Sequence, residues 1–211
     1  RTGPSYIMEP QNNSCTCISP INIAIIKYWG KKNVEQNIPL NSSFSVTLDT
    51  EQLFTKTTVD LLTNRKKKNS ILIVNGQNIR IDQHSKITKA INSARKFGLT
   101  CPLRIESINS FPSSAGLASS SSAFSAFACA LGRLLNLNPR EVDVVARIGS
   151  GSSCRSLYGG FVEWNDGSDP SDPETVSRQV FPPDQWPELR CIVVQVSSGL
   201  KSVSSSVAMQ R

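Results

Sequence analysis

The chain has a single histidine, His84, and aromatic residues make up only 7% of its 211 positions. Apart from Cys15 and Cys17 its cysteines form no close pair, so with one histidine a zinc site lacks its usual ligand set. The strings G-x-x-x-x-G-K-[ST] and G-x-G-x-x-G are absent, which excludes the commoner phosphate loops. No uninterrupted apolar run is long enough to span a bilayer, and nothing near Arg1 has the apolar centre of a secretory signal. No membrane partner is expected. No internal repeat recurs at a fixed period.

The net charge of +7 invites comparison with nucleic-acid binders, which gain affinity by releasing counterions from phosphates. The few aromatics do not interleave with the one tight basic run, RKKK at 65–68. A solvated loop between two strands accounts for that run, so nucleic acid is not the expected partner and a small polyanion fits the charge equally well. Six cysteines are even in number but scattered through a chain too long to need disulfide staples, which predicts reduced thiols and a cytoplasmic location. At 38% hydrophobic and 18% charged residues the chain can bury a substantial core, as one domain or one domain plus part of another.

The organising stretch is FPSSAGLASSSS at 111–122, between a predicted strand at 103–110 (LRIESINS) and a predicted helix at 123–135. A strand, a small-residue loop and a helix start bring unpaired N–H groups and the positive helix end to one point, which suits phosphate. The serine hydroxyls add rotatable donors and oxygen ligands for a metal. The plainer reading, a flexible loop with a helix cap, fits the same residues.

Residues 1–14 carry no pattern and read as a tail. CTCISPINIAIIKY (15–28) predicts one or two strands limited by Pro20, and WGKK (29–32) a turn. FSVTL (44–48) and TTVDL (57–61) alternate in period two, as half-buried strands do. Asn75-Gly76 within SILIVNGQNIRID (70–82) is a hairpin signal. Ile87, Ile91, Ala94 and Phe97 share one face of a helix that Gly98 ends. Asn138 and Pro139 mark the start of a second short helix carrying Val142, Val145, Ala146 and Ile148. GSGSSCRSLYGG (149–160) is a second small-residue loop, followed by a strand at 161–164, an acidic surface loop at 166–174 and a buried strand at 189–196. Ser204 marks the cap of a helix starting at Val207. This order predicts an α+β fold, a mixed sheet with helices on one face.

Arg155 stands among serines with no acidic neighbour in sequence, which suits a two-pronged hold on a carboxylate or phosphate. A structural arginine tying loop carbonyls is the alternative. Tyr28 and Trp29 taken alone fit core or rim aromatics.

NIAIIKYWGK (22–31), NSSFSVTL (41–48), FPSSAGLASS (111–120), GSGSSCRSLYGGFVE (149–163) and Trp186-Pro187 resemble, in order and spacing, the diphosphomevalonate decarboxylases of the GHMP kinase superfamily. The resemblance runs from about residue 14 to the end of the chain. It implies a ribosomal protein S5 domain 2-like fold over 15–196, with 197–211 opening a largely missing carboxy-terminal domain. It also implies ATP-dependent decarboxylation of mevalonate 5-diphosphate to isopentenyl diphosphate with ATP and Mg2+, and a homodimer for the full-length enzyme.

Matched to the family's motifs, Ser113, Ser114, Ala115, Gly116, Leu117, Ala118, Ser119 and Ser120 fall in the loop around the ATP phosphates and magnesium. Tyr28, Trp29, Gly30, Lys31, Ser150, Gly151, Ser152, Ser153, Cys154, Arg155 and Ser206 fall in the substrate segments. Arg155, Lys31 and Ser120 take catalytic roles by the same match, and no residue is assigned as a direct metal ligand. Three differences from the family pattern stand out. Its P-T-A-A-G-L-A-S-S-A loop has Ser113, Ser114 and Ser121 here. Its basic residue after the hairpin has Ser85 or Lys86 as the nearest position. Its catalytic aspartate, in a D-A-G-P-N-like loop, has no counterpart up to Arg211, so the chain alone is expected not to turn over. The rivals are a small-molecule kinase of the same superfamily and a non-catalytic, truncated nucleotide binder.

Overall fold

The computed structural model describes residues 10–64, 69–111, 119–168 and 176–192. Along the chain lie β1 (Ser14–Pro20), β2 (Asn22–Ile26), β3 (Lys31–Asn33), β4 (Ile38–Pro39), β5 (Ser43–Thr47), β6 (Phe54–Leu61), β7 (Ile71–Val74), β8 (Gln77–Ile79), α1 (Ser85–Arg95), β9 (Leu103–Asn109), α2 (Ser119–Leu135), α3 (Pro139–Gly149), a 3-10 helix (Gly151–Leu157), β10 (Gly160–Trp164) and β11 (Ser177–Phe181).

Pro20 ends the first ladder, and the chain passes at Ile21 from one sheet into another, so the stretch read as one or two strands is two. The first sheet has five strands in the order β1-β6-β9-β7-β8 and is mixed, because β7 runs parallel to β9 while the other pairs are antiparallel. α2 lies against β1, β6 and β9, and α3 packs on both α2 and α1. This is the mixed sheet with its helix layer. The second sheet is antiparallel, in the order β11-β10-β5-β2, and the 3-10 helix joins it to α2 and α3. The core between the first sheet and its helices is built from Leu103, Ile105, Phe127, Leu131 and Val145, each almost fully buried.

Local chemistry explains the elements that were foreseen. Asn75 and Gly76 both sit at positive φ, 48° and 79°, as a two-residue hairpin turn demands. The Asn138 side chain accepts from the Glu141 N–H at 3.0 Å while Glu141 accepts from the Asn138 N–H at 2.9 Å, a full capping box with Pro139 beside it. α1 buries Ile87, Ala90, Ile91 and Ala94 on one face.

β5 alternates as its sequence predicts, but the buried side is the polar one. Ser43, Ser45 and Thr47 are buried while Phe44 and Val46 are half-exposed. Phe44 stacks on Phe161, and Phe161 meets Phe181 edge-on, so the apolar row lies on the outward face of the second sheet.

Other expectations are corrected. Residues 189–192 form no strand and Ile192 is 87% exposed, because no described strand offers them a partner. Residues 193–196 lie outside the described residues. The strand that does occur, β11, reads SRQVF, and Arg178 pairs across to Glu163 on β10 at 2.9 Å. Asp166, placed in a surface loop, is buried: its carboxylate accepts from Ser42 Oγ at 3.2 Å and lies 3.4 Å from the Lys32 ammonium. Ser14 opens β1 rather than closing a tail, Lys31 opens β3, and α2 begins at Ser119, four residues before the expected Ala123. The loop at 149–160 is largely the 3-10 helix. The basic run at 65–68 lies outside the described residues, as does most of the acidic loop beyond Ser168.

Candidate functional site

The 3-10 helix follows directly on α3, and its own side chains fix its shape. The Ser153 hydroxyl lies 2.6 Å from the carbonyls of both Ala146 and Ser150, and the Cys154 thiol donates to the Gly151 carbonyl at 3.0 Å. Those bonds leave Arg155 pointing into the buried polar side of the second sheet. Its Nε donates to Ser45 Oγ at 3.1 Å, Nη1 to Ser43 Oγ at 2.6 Å and Nη2 to Asn22 Oδ1 at 3.4 Å. Asn22 is itself held, donating to the Ser152 carbonyl at 3.0 Å and to Ser156 Oγ at 2.7 Å.

Arg155 is 2% exposed, and among the described residues none of its hydrogen-bond partners is a carboxylate. Burial pulls its pKa below the usual arginine value. A cation taken out of water costs several kcal/mol unless an opposite charge meets it. Neutral hydroxyls and an amide orient the guanidinium without neutralising it. That is the arrangement of a receptor for an anion.

Tyr28 forms the adjoining wall. It is buried, lies edge-on to Trp164 with ring centroids 4.8 Å apart, and its hydroxyl approaches Gly151 so closely that a Cβ there would lie 2.6 Å away. Only glycine leaves room for that hydroxyl. Burial pushes the Tyr28 phenol up to about 12 against the opposing pull of Arg155, so it stays a neutral donor.

The neighbouring segment turns at Gly30, where φ is +70° and any side chain would strike Leu40. It carries Trp29 outward, 54% exposed, and delivers Lys31 half-buried. Burial lowers the Lys31 pKa, and the charges of Lys86 and Lys89 lower it further. Lys86, in the first turn of α1, is also half-buried and its pKa is lowered by burial.

Lys86 lines a cleft of about 460 Å³ between the first sheet and the starts of α1 and α2. Leu72, Ile105 and Phe127 give the cleft apolar walls, and Ser119 and Ser120 supply hydroxyls at the positive end of α2. Ser120 Oγ lies 3.2 Å from Ser150 Oγ, so the two small-residue stretches meet.

Of the residues matched by motif, Tyr28, Gly151 and Arg155 therefore form one cluster, Ser119 and Ser120 a second, and the Ser120–Ser150 contact joins them. Ser153 and Cys154 are buried and spend their polar atoms on the loop itself. Ser152 is half-buried and its carbonyl holds Asn22. Ser113 to Ala118 and Ser206 lie outside the described residues. Sequence reasoning missed Asn22, Ser43 and Ser45 as the holders of Arg155. For the two serines the signal was there in the small polar residues at alternate positions of SFSVT (43–47).

Two sheets, a helix layer over the mixed one and a hydroxyl-lined cleft at a helix start define an α+β protein of the GHMP kinase fold. Residues 19–176 match the model of the diphosphomevalonate decarboxylase-like N-terminal domain, and the chain belongs to that family. It is 39% identical to the diphosphomevalonate decarboxylase of Schizosaccharomyces pombe, over 96% of this chain and 55% of that one. It is also 39% identical to the human enzyme, over 92% of this chain and 52% of that one. Among solved structures, mevalonate diphosphate decarboxylase from Trypanosoma brucei is 36% identical with a TM-score of 0.80, covering 93% of this chain and 53% of its own. A structure described as MDDEF in complex with MVAPP, AMPPCP and magnesium is 35% identical with a TM-score of 0.79, covering 94% of this chain and 60% of its own. The chain thus spans about half the length of these relatives.

Proposed function

We propose that this chain forms the substrate-holding and nucleotide-holding half of an ATP-dependent decarboxylase that converts mevalonate 5-diphosphate to isopentenyl diphosphate, releasing ADP, phosphate and carbon dioxide. The observation that carries the reading is Arg155, a buried guanidinium aimed by Asn22, Ser43 and Ser45 and with no carboxylate partner among the described residues. A substrate carboxylate supplies the missing charge and is thereby fixed for departure. On this reading Lys31 and Lys86, both half-buried with pKa values lowered by burial, are the cations for the diphosphate, Lys86 standing with Ser85 nearest the family's basic contact after the hairpin.

The cleft residues fit a nucleotide, with apolar walls for a base and the hydroxyls of Ser119 and Ser120 for phosphates. No group of three or more metal-ligating side chains occurs among the described residues, so magnesium would be held by phosphate oxygens with serine hydroxyls alongside. Bound there, ATP and magnesium supply the phosphoryl group and neutralise its charge. The protein's own contribution is to hold and orient: Arg155 the carboxylate, Tyr28 and Gly151 the wall beside it, Ser120 the phosphates.

Among the described residues none that lines the cleft is a carboxylate, so these residues supply no base for the 3-hydroxyl. Binding without turnover is expected, and steady phosphate release from ATP and mevalonate 5-diphosphate by these 211 residues would contradict it. That same observation favours, as second reading, a non-catalytic nucleotide binder. Free thiols at all six cysteines support a cytoplasmic setting, and the family resemblance carries a homodimer with it.

Calorimetry on this chain decides between the readings. Mevalonate 5-diphosphate should bind at least tenfold more tightly than isopentenyl diphosphate, which lacks the carboxylate, and Arg155→Ala should erase the difference, about 1.4 kcal/mol per factor of ten. Equal affinities in the parent chain would remove Arg155 from the site and leave the plain nucleotide binder.

A further inference from the structure

Asp166 follows the end of β10 by two residues and is buried. Its carboxylate is shared among three segments. Oδ1 accepts from the Ser168 N–H at 3.1 Å and the Ser168 hydroxyl at 2.7 Å, which closes its own turn, and also from Ser42 Oγ at 3.2 Å. Oδ2 lies 3.4 Å from Lys32 Nζ, which also donates to the Asp166 carbonyl at 3.0 Å. Burial raises the carboxyl pKa, but the bonds from Ser168 and Ser42 and the charge of Lys32 outweigh it and hold the pKa below the usual carboxylate value.

Both outward contacts fall beside residues of the site. The β5–β10 ladder ends with Ser43 opposite Trp164. Just past that rung the Ser42 hydroxyl accepts from the Asp166 N–H at 3.1 Å as well as donating to its carboxylate, a reciprocal clamp on the strand end. Ser43 is the acceptor of Arg155 Nη1, and Trp164 backs Tyr28. Lys32, in turn, is the neighbour of Lys31. β3 and β4 form a ribbon only three and two residues long, and Lys32 is the extra residue between the Lys31–Pro39 and Asn33–Ile38 rungs. A two-stranded ribbon is marginal by itself. Asn37 ties its turn to α3, donating to the Arg147 carbonyl at 2.6 Å, and Lys32 ties the Lys31 end to Asp166. An ion pair whose lysine is partly exposed adds little stability, so the main effect of the Lys32 contact is on where the ribbon lies.

We infer that Asp166 is a positioning residue for the anion site: through Ser42 it sets the serine that aims Arg155, and through Lys32 it sets where the ribbon presents Lys31. This rests on the reading that Arg155 meets a carboxylate and Lys31 a diphosphate. The Ser42 arm therefore bears on a ligand that has the carboxylate, and the Lys32 arm on any ligand that has the diphosphate.

Calorimetric titration of the 211-residue chain with mevalonate 5-diphosphate and with isopentenyl diphosphate, well below every melting temperature, tests both arms. Ser42→Ala should weaken mevalonate 5-diphosphate about fivefold and isopentenyl diphosphate less than about twofold. Lys32→Met should weaken the two alike, by about threefold, and Lys32→Arg, which keeps the pair with Asp166, should restore parent affinity. Asp166→Ala should combine the two losses, about tenfold or more for mevalonate 5-diphosphate. A purely structural Asp166 would lower the melting temperature and leave both affinities, and so their ratio, unchanged. Parent-like affinities in Asp166→Ala, while Arg155→Ala still erases the preference for mevalonate 5-diphosphate, overturn the role of Asp166 and leave the reading of Arg155 standing. Should Asp166→Ala fail to fold, parent-like affinities in both Ser42→Ala and Lys32→Met overturn it in the same way. Equal affinities for the two ligands in the parent overturn both.

Discussion

Asp143 on α3 is 1% exposed; it accepts from the Ser177 N–H at 2.9 Å and from the Ser177 hydroxyl, while its Oδ2 has no partner among the described residues. Burial is the largest influence and raises its pKa above the ordinary carboxylate value. A raised carboxyl in the folded state contributes stability below its unfolded pKa and loses it as pH rises through the folded value. At neutral pH the ionised group is therefore a cost. Asp143→Asn keeps an acceptor for Ser177, and its melting temperature should exceed the parent's by about 2–4 °C at pH 7, with the gap closing toward pH 4. A lower melting temperature at pH 7 would show that the charge stabilises the fold. Arg155 is the counterpart with a use for its cost. Arg155→Met should melt below the parent, since it leaves the buried Asn22 Oδ1 and the Ser43 and Ser45 hydroxyls without their donor, at about 1–3 kcal/mol for each group left unsatisfied, and it should also lose mevalonate 5-diphosphate. A thermal melt and a titration on the same protein check both halves.

Among the elements, α3 shows what local chemistry specifies. Its capping box closes both ways, so Asn138→Ala should cost about 1 kcal/mol in a urea titration with no change in ligand affinity. A shift under a few tenths would mean that packing on α2 alone holds the helix start. The hairpin at Asn75-Gly76, α1 and α3 were legible because each depends on residues within one or two turns of each other. What was not legible is set from far away. β11 reads SRQVF, without clean alternation, and becomes a strand through its ladder with β10. Residues 189–192 have the right composition for a buried strand but no described neighbour to pair with. β5 is the most instructive case. Its period was readable, but its orientation depends on Arg155, 110 residues beyond Ser45, which draws the serines inward and turns Phe44 and Val46 outward. The hydrophobic side of an alternating strand faces the core only when nothing polar claims the interior.

At the scale of the molecule, the site exists because β2, β5, the 3-10 helix and the starts of α1 and α2 converge, from segments spread between residues 22 and 155. The motif strings named Tyr28, Gly151, Arg155 and Ser120, and the structure brings these into two adjoining clusters. Asn22, Ser43 and Ser45 lie inside two of the matched strings, 22–31 and 41–48, without a role assigned there; their role appears only once the sheet register sets them under the guanidinium. The hydroxyl pair Ser120 and Ser150, 3.2 Å apart, sits where the clusters touch, and either oxygen can be the donor. Such a pair has two senses, and an occupant on one side selects the sense presented to the other. The affinities of nucleotide and diphosphate acid should then be thermodynamically linked: each alters the other's dissociation constant by one common factor, as reciprocity requires. Ser150→Ala removes the shared proton and should bring that factor to one. A factor that survives the substitution would show that the two occupants communicate by another route.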